Sequence, residues 1–151
     1  MDIEAKKKYE ILKAKNEGMK FEKKWKSNKL FMECIDLLKK CMIMSKEESE
    51  ALFQQFQGLV PIRYGRVDWK KMTNYAKTSI EEIKQSCNRD KEYYILWDDY
   101  DVPCVHCCLQ TIIDNIDDVL AVSSNTWLLS EAKDEIIEFY HEGEIVYGEI
   151  V

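Results

Sequence analysis

The sequence predicts an α+β fold in which N-terminal helices pack on a mainly antiparallel sheet that ends in a C-terminal β-hairpin. Two observations lead to this class. Apolar residues recur at helical spacing before Pro61, whereas short aromatic and β-branched segments, separated by turn residues, follow it. The 151 residues fit a single domain, since a domain usually takes about 100–200 residues. We divide it into a helical portion, residues 1–58, and a sheet-forming portion, residues 61–151.

Two helices are predicted at the start of the chain. Residues 2–29 are rich in Lys, Glu and Ala, which favours a helix, and Gly18 is expected to interrupt it. Residues 30–42 place apolar side chains at i, i+3, i+4 and i+7, the pattern of an amphipathic helix. Cys34 and Cys41 fall on its apolar face, and we expect both to be small core residues.

A third helix is predicted from the capping box of Ser45 and Glu48, because the serine oxygen and the glutamate carboxylate satisfy free backbone amides. We expect this helix to end at Gly58, since glycine is a common helix terminator. Extended chain should follow, because Pro61 disfavours helical backbone at Val60.

The sheet-forming portion alternates turn residues with apolar segments. Ser79 and Glu82 form a second capping pattern that predicts a short helix to about Cys87, and a brief helix is expected over residues 109–115. Gly143 supplies the tight turn of the final hairpin. The segments predicted as strands are 62–67, 93–97, 119–122, 126–129, 136–141 and 145–150.

Charge is distributed unevenly along the chain. Residues 1–60 hold 13 Lys and 10 acidic residues, a net charge of +3, whereas residues 61–151 carry a net charge of −9. The basic excess lies in residues 1–30, where acids are interleaved at near-helical spacing. We interpret that segment as a solvated helix face rather than a nucleic-acid arm. The acidic second half favours a basic protein partner over nucleic acid.

No hydrophobic segment suggests a membrane or an export route. No apolar run approaches the roughly 20 residues that cross a bilayer, and the opening MDIEAKKKYE lacks the apolar region of a secretion signal. We therefore expect a cytoplasmic protein that binds no membrane. Thiols stay reduced in that compartment, so we do not expect the cysteines to form disulfides.

Residues 104–108 combine CxxC spacing with a histidine. Cys104, His106 and Cys107 offer thiolate and imidazole ligands at a spacing that zinc accepts, and CxxC is also a redox spacing. A strong zinc site needs a second half-site, which the sequence lacks. The third interpretation is ordinary core packing, and we favour it. No cofactor or metal is expected.

Motifs of the common enzyme classes are absent from the sequence, which contains no GxSxG, P-loop, GxGxxG or HExxH pattern. A cysteine–histidine enzyme would need His141 as its base, because His106 is too close in sequence to Cys107 to face it reliably. The prediction is a non-enzymatic protein. The alternative is a small metal- or thiol-dependent enzyme centred on Cys104, His106, Cys107 and His141.

Two acidic clusters in the second half are candidates for a partner surface, because acids steer a basic protein in and neighbouring aromatics anchor it. Clustered carboxylates also bind divalent cations, but the EF-hand pattern is missing. Solvated turns with capping aspartates are a further interpretation. We expect Asp98, Asp99, Asp117 and Asp118 to lie in loops near one another. The candidate binding residues are Asp98, Asp99, Tyr100, Asp101, Asp114, Asp117 and Asp118.

The segments 94–98, 117–123, 126–128 and 136–145, together with Gly148, carry a resemblance to a known family. They resemble small immunity proteins of bacterial polymorphic toxin systems, including contact-dependent growth inhibition, and the resemblance covers roughly residues 92–151. It implies a cytoplasmic, non-enzymatic inhibitor that binds its cognate toxin domain and blocks the toxin's active site or substrate path. A short acidic domain suits the neutralisation of a basic toxin, often a nuclease.

Overall fold

A computed structural model describes residues 2–151 and shows the α+β fold that the sequence predicts. The first third is largely helical, and the second half builds a sheet. Within residues 2–151, no helix combines the length and hydrophobicity needed to cross a membrane. The helices are α1 (Ile3–Lys26), α2 (Lys29–Leu37), α3 (Lys46–Leu59), α4 (Ile80–Ser86), α5 (Leu109–Asp114) and α6 (Ile116–Leu120), with a 3-10 helix at Trp69–Lys71.

The strands form one seven-stranded sheet and one separate hairpin. They are β1 (Met42–Ile43), β2 (Ile62–Arg63), β3 (Arg66–Val67), β4 (Asn74–Lys77), β5 (Glu92–Trp97), β6 (Val105–Cys108), β7 (Thr126–Ser130), β8 (Glu135–Phe139) and β9 (Ile145–Glu149). The large sheet has the strand order β1-β6-β5-β7-β8-β9-β4, and each pair of adjacent strands is antiparallel. Strands β2 and β3 pair only with each other in this topology.

Side-chain caps explain where the first three helices begin. Asp2 and Asn28 each accept a hydrogen bond from the backbone N–H three residues on, at 2.7 and 3.1 Å. In α3 the predicted capping box is confirmed. Ser45 Oγ accepts from the Glu48 N–H, and the Glu48 carboxylate accepts from the Ser45 N–H, both at 3.1 Å. Such caps satisfy amides that the first helical turn leaves free and are typically worth about 1 kcal/mol.

Two predictions about the N-terminal helices are wrong. Gly18 does not interrupt α1, because one glycine costs only about 1 kcal/mol relative to alanine and its neighbours are strong helix formers. The second helix ends at Leu37 rather than at residue 42, and Lys40, with a φ of 63°, redirects the chain into β1. Cys34 is buried on α2 as expected, whereas Cys41 lies beyond the helix and is half-buried.

Helices cover both faces of the large sheet, so alternate residues of its central strands enter two different cores. Ile95 of β5 contributes to the first core, and its neighbour Leu96 contributes to the second. The first core also contains side chains of α2, α4, α5 and α6, among them Phe31, Ile83, Ile112 and Val119. The second contains side chains of α3 and the segment after it, among them Leu52, Phe56, Val67 and Trp69.

The strand predicted over residues 119–122 is wrong, because Ile116–Leu120 is helix α6. A short apolar run has the same composition in a buried helix as in a buried strand, and periodicity over four residues cannot separate the two. Tertiary contacts favour the helix: Val119 is fully buried in the first core, and its carbonyl accepts a hydrogen bond from Trp97 Nε1 at 2.9 Å.

The final hairpin is confirmed as β8 and β9, and Gly143 in its turn has a φ of 94°, a conformation that glycine adopts readily. Gly148 is required for a different reason. A Cβ at this position would lie 2.4 Å from Cζ3 of the Trp69 ring, so the indole packs directly on the β9 backbone.

The segment predicted as one strand over residues 62–67 forms the two-stranded hairpin β2–β3. Tyr64 and Gly65 have φ values of 53° and 77°, the left-handed backbone that a two-residue hairpin turn requires. The Tyr64 ring at the tip is 91% exposed. The hairpin therefore presents an aromatic side chain to solvent.

Candidate functional site

Residues 98–101 form a largely exposed acidic loop directly after β5. The Asp99 carboxylate accepts a hydrogen bond from the Asp101 backbone N–H at 2.9 Å, which holds the turn of the loop. Asp101 also forms an exposed ion pair with Lys24 of α1, with Nζ and Oδ1 3.4 Å apart. Because exposed ion pairs contribute at most about 1 kcal/mol, Asp101 can exchange this partner for another at little cost.

Asn125 joins this loop to two other segments at the same end of the sheet. Its backbone N–H donates to Asp98 Oδ1 at 3.1 Å, and its side-chain amide donates to the Gly65 carbonyl at 3.5 Å. Its Oδ1 accepts from the His141 backbone N–H at 3.0 Å. Since Asn125 is itself buried, these bonds hold the acidic loop, the β2–β3 turn and the chain after β8 in fixed relative positions.

An exposed aromatic residue lies among the loop carboxylates. Tyr100 is 76% exposed and packs against Phe53 of α3 in a tilted arrangement, with ring centroids 5.6 Å apart. Two grooves flank this pair. One, of about 270 Å³, extends along α3 towards α1, and the other, of about 130 Å³, extends towards Ile62 and Trp127. We call Phe53 together with residues 98–101 the rim surface.

The remaining predicted acids lie on helices. Asp114 ends α5, and both of its carboxylate oxygens accept from Gln110 Nε2 at 2.9 Å. Asp117 and Asp118 occupy the first turn of α6, so the prediction that they are loop residues is wrong. Carboxylates favour this position because they interact with the positive end of the helix dipole. The candidate acids therefore fall into two groups on separate elements, the rim surface and the α5–α6 segment.

The two cysteines of the CxxC segment enter opposite faces of the sheet. Cys104 belongs to the core covered by α3, where its backbone N–H donates to Ser49 Oγ at 3.0 Å, whereas Cys107 belongs to the other core. One zinc ion or one disulfide cannot be shared across the sheet, so both interpretations conflict with this geometry. Within residues 2–151, no group of three or more His, Cys, Asp or Glu side chains is placed to hold a metal ion.

The histidines do not complete the alternative site either. His106 packs against the Tyr94 ring on β5, with ring centroids 5.0 Å apart. His141 lies at the end of the sheet that carries the rim surface, where its Nδ1 is 3.3 Å from Asn125 Oδ1. The four residues of the alternative enzyme centre are thus separated: Cys104 and Cys107 lie in different cores, His106 packs on Tyr94, and His141 lies at the end of the sheet.

Burial opposes thiolate formation at the core cysteines. Desolvation raises the pKa of the Cys34, Cys104 and Cys107 thiols from 9.0 to about 12, the reverse of the shift that a catalytic thiol needs. For Cys34, the neighbouring Asp118 adds to the rise in pKa. The structure therefore supports the packing interpretation of these cysteines.

Alkaline pH should destabilise the fold through these thiols. Because the folded state holds their protons more tightly than the unfolded state does, their stabilisation is complete below pH 9 and is lost as pH rises towards 12. We expect the free energy of unfolding in urea, measured under reducing conditions, to fall between pH 8 and about pH 10.5. In Cys104→Ala that fall should be shallower, by up to about 1.4 kcal/mol per pH unit. An unchanged slope in Cys104→Ala would contradict this account.

Sequence analysis missed the buried carboxylate of Glu138 on β8, which is 0% exposed. Its Oε1 accepts hydrogen bonds from Arg66 Nη2 at 3.1 Å and from Trp69 Nε1 at 3.0 Å. Its Oε2 accepts from the Val67 backbone N–H at 2.6 Å and from Trp127 Nε1 at 3.0 Å. The carboxylate is thus paired with a guanidinium and fully hydrogen-bonded, the condition under which a buried charge is tolerated.

This network attaches the β2–β3 hairpin and the 3-10 helix to the sheet near the rim surface. Trp127 lies directly opposite Glu138 in the β7–β8 register, so the pair is formed by strand alignment. A sequence signal exists, since strand alternation places Glu138 on the same face as the buried Ile136. Its partner is Arg66, one of few arginines in a lysine-rich chain, and it lies 72 residues away along the sequence.

The protein is thus a small α+β protein whose helix-covered antiparallel sheet carries an acidic, aromatic rim surface at one end. A family model described as CdiI immunity protein EcoliA0-like matches residues 28–148, which is most of the chain. The chain therefore belongs to this family of contact-dependent growth inhibition immunity proteins. No match is found among curated proteins.

Family membership confirms the resemblance seen in the second half of the sequence and extends it towards the N-terminus, to residue 28. It makes the protein a toxin-neutralising immunity protein that binds a cognate toxin, and it implies a non-enzymatic inhibitor. The match begins just after α1 ends at Lys26, so α1 lies outside it.

Proposed function

We propose that this protein neutralises a basic toxin domain, with a nuclease as the favoured class, by covering the toxin's active site or substrate path with the rim surface. The observation that carries the proposal is the exposed Tyr100 ring, which packs at a tilt against Phe53 and lies in sequence between Asp99 and Asp101. Aromatic side chains commonly dominate the affinity of protein interfaces, and complementary charges raise the association rate.

Charge complementarity supports a basic partner. The chain has a net charge of −6, and residues 61–151 alone carry −9. A nuclease binds phosphates through Lys and Arg side chains, so an acidic surface placed over those side chains competes directly with nucleic acid. The same acidity disfavours binding of nucleic acid or anionic membranes by the immunity protein itself. We place the encounter in the cytoplasm, where a nuclease meets its substrate.

The grooves beside Tyr100 offer sites for basic toxin side chains. Glu50 lines the larger groove, and Asp98 lines the smaller one. A lysine or arginine that enters the smaller groove would place its aliphatic stem against the Phe53 and Tyr100 rings and its charged end near Asp98, whereas Glu50 in the larger groove is already paired with Lys46. Long basic side chains commonly bind in this way, with the stem on apolar surface and the charge beside an acid.

The acids of the α5–α6 segment contribute in a different way in this proposal. Asp114 and Asp117 are exposed, and their field extends over about 8–10 Å at physiological ionic strength. They can therefore steer an approaching basic toxin without touching it. We include Asp114, Asp117 and Asp118 among the proposed binding residues, with an expected effect on association rate that is larger than their effect on dissociation rate.

Reversing one charge on the rim surface should weaken the toxin complex. We expect Asp101→Lys to raise the Kd for the cognate toxin domain by about tenfold or more, because a repelled basic side chain replaces an attracted one. Asp90→Lys is the matched control, since it changes the net charge equally in an exposed turn at the other end of β5. The two positions are separated by the length of that strand, about 20 Å. Isothermal titration calorimetry with both variants measures the difference.

A second variant and a cellular assay complete the test. Tyr100→Ala should weaken binding without lowering the melting temperature, because the ring is mostly exposed. Cells that co-express the toxin domain with Asp90→Lys should survive, whereas rescue by Asp101→Lys and Tyr100→Ala should be reduced. If the Asp101 and Asp90 variants bind equally well, and Tyr100→Ala binds like the unaltered protein, the toxin binds another surface and the proposal is overturned.

A further inference from the structure

The N-terminal part of α1 projects from the folded body. Every residue from 2 to 17 is exposed, among them Tyr9 and Leu12, each with 59% of its surface accessible. Within the described chain, Phe21 is the one buried residue of α1, and Trp25 beside it is half-buried against the first core. Apolar residues are therefore held on a helix in contact with solvent.

The exposed residues follow a heptad pattern. Along one face of α1, five exposed residues are separated by four, three, four and three positions. Their average spacing of 3.5 residues matches that of the a and d positions of a coiled coil. An asparagine at an a position is a known determinant of coiled-coil register and partner number. The seam consists of Ala5, Tyr9, Leu12, Asn16 and Met19, with Tyr9 and Asn16 at a positions.

The seam faces away from the body of the protein from Ala5 to Asn16, whereas Met19 at its end borders a groove between α1 and β1. With about 100° of rotation per residue, each seam residue lies roughly 120–180° around the helix from both Phe21 and Trp25, the two residues that pack inward. The seam is also narrow, and Asn16 makes its centre polar. A narrow seam is typical of helix pairing, whereas insertion into a membrane surface needs a broad apolar face.

Lysine occupies every position that flanks the seam. Between residues 6 and 20 the e and g positions are Lys6, Lys8, Lys13, Lys15 and Lys20, and the next g position, beyond the last seam residue, is Glu22. In a parallel homodimer, g positions face e positions of the partner helix, and in an antiparallel homodimer e faces e and g faces g. Both arrangements would oppose lysine with lysine, which is unfavourable. A second copy of this chain is therefore the wrong partner.

We propose that the exposed part of α1 docks an acidic amphipathic helix of a partner protein, one with apolar a and d residues and Glu or Asp at its e and g positions. The site is separate from the rim surface, which is proposed to bind a basic toxin, and it requires a partner of opposite charge. Since the seam spans little more than two heptads, charge must supply much of the affinity, and binding should weaken strongly with salt.

The test uses a synthetic peptide of three heptads as the probe, with Ile at a, Leu at d, one Asn at an a position and Glu at every e and g position. The full chain should bind this peptide at low salt, and 0.5 M NaCl should weaken binding, as measured by fluorescence anisotropy. Leu12→Ser should raise the Kd by about tenfold or more. Ile11→Ser removes a similarly exposed neighbour outside the seam and should leave the Kd unchanged.

A matched charge pair tests the flanking lysines. Lys13→Glu at an e position should weaken binding, whereas Lys7→Glu, an equal charge change outside the e and g positions, should have less effect. Three results would overturn the proposal. The first is an equal loss of affinity for the two variants of each matched pair, and the second is equal binding of a control peptide that has Lys in place of Glu at its e and g positions. The third is a homodimer of this chain that Leu12→Ser dissociates. Binding to phosphatidylglycerol vesicles without binding to the acidic peptide would show that α1 contacts membranes instead.

Discussion

Glu138→Ala is expected to lower the free energy of unfolding by about 3–5 kcal/mol, because removing one partner from a buried ion pair leaves the other groups uncompensated. The side chain is fully buried on β8. Arg66 retains some access to water, since 27% of its side chain is exposed, and it also lies 3.4 Å from Glu144. The Trp69 and Trp127 indole N–H groups are buried and would lose their acceptor, which accounts for a large part of the expected cost.

Glu144→Ala is the matched control for this prediction. Glu144 bonds to the same arginine but lies at the surface, with 36% of its side chain exposed. Its loss should cost less than about 1 kcal/mol, as is usual for exposed ion pairs. Urea unfolding monitored by circular dichroism gives both values. If the two substitutions cost the same, the buried network does not hold the hairpin on the sheet, and our explanation of the β2–β3 position is wrong.

Local sequence signals were sufficient where a capping residue or a turn glycine defines an element. Ser45 with Glu48 placed the start of α3, and Gly143 placed the final hairpin, because each acts on backbone within a few residues. The strand over residues 93–97 was also predicted, since its aromatic and branched side chains fit a sheet buried on both faces.

Elements that depend on distant contacts could not be predicted in the same way. Helix α6 looks like a strand in sequence, and it becomes a helix because Val119 packs into the first core and its carbonyl meets Trp97. The end of α2 depends on the pairing of β1 with β6, more than 60 residues later. Local propensity has no information about such partners.

The candidate site shows the same division. The acids of residues 98–101 were visible as a cluster because they are close in sequence, whereas the contact of Tyr100 with Phe53 and the bond from Asn125 to Asp98 appear only in the fold. The CxxC spacing suggested a shared site, yet Cys104 and Cys107 are three positions apart, an odd separation, along extended chain. Side chains alternate between the two faces of a sheet, so this spacing separates the two thiols.

Trp97→Ala should lower the free energy of unfolding by about 3–5 kcal/mol, the usual cost of truncating a large buried aromatic side chain. Trp97 is 1% exposed at the end of β5, and its ring packs edge-on against Phe31 of α2 with centroids 5.6 Å apart. Its Nε1 also donates to the Val119 carbonyl of α6. Truncation would therefore leave a cavity among three elements and remove the donor from a buried acceptor.

Two variants separate these contributions. Trp97→Phe keeps much of the ring volume but removes the N–H, so it should lower the free energy of unfolding less than Trp97→Ala does. The difference between the two variants measures the contribution of the cavity. Trp25→Ala is the control, since Trp25 packs against the same Phe31 ring, at 5.7 Å, but is only half-buried. Because Trp97 directly precedes Asp98, its truncation should also weaken toxin binding through movement of the rim surface. Equal costs for Trp97→Ala and Trp25→Ala in urea unfolding would show that the first core does not depend on this ring.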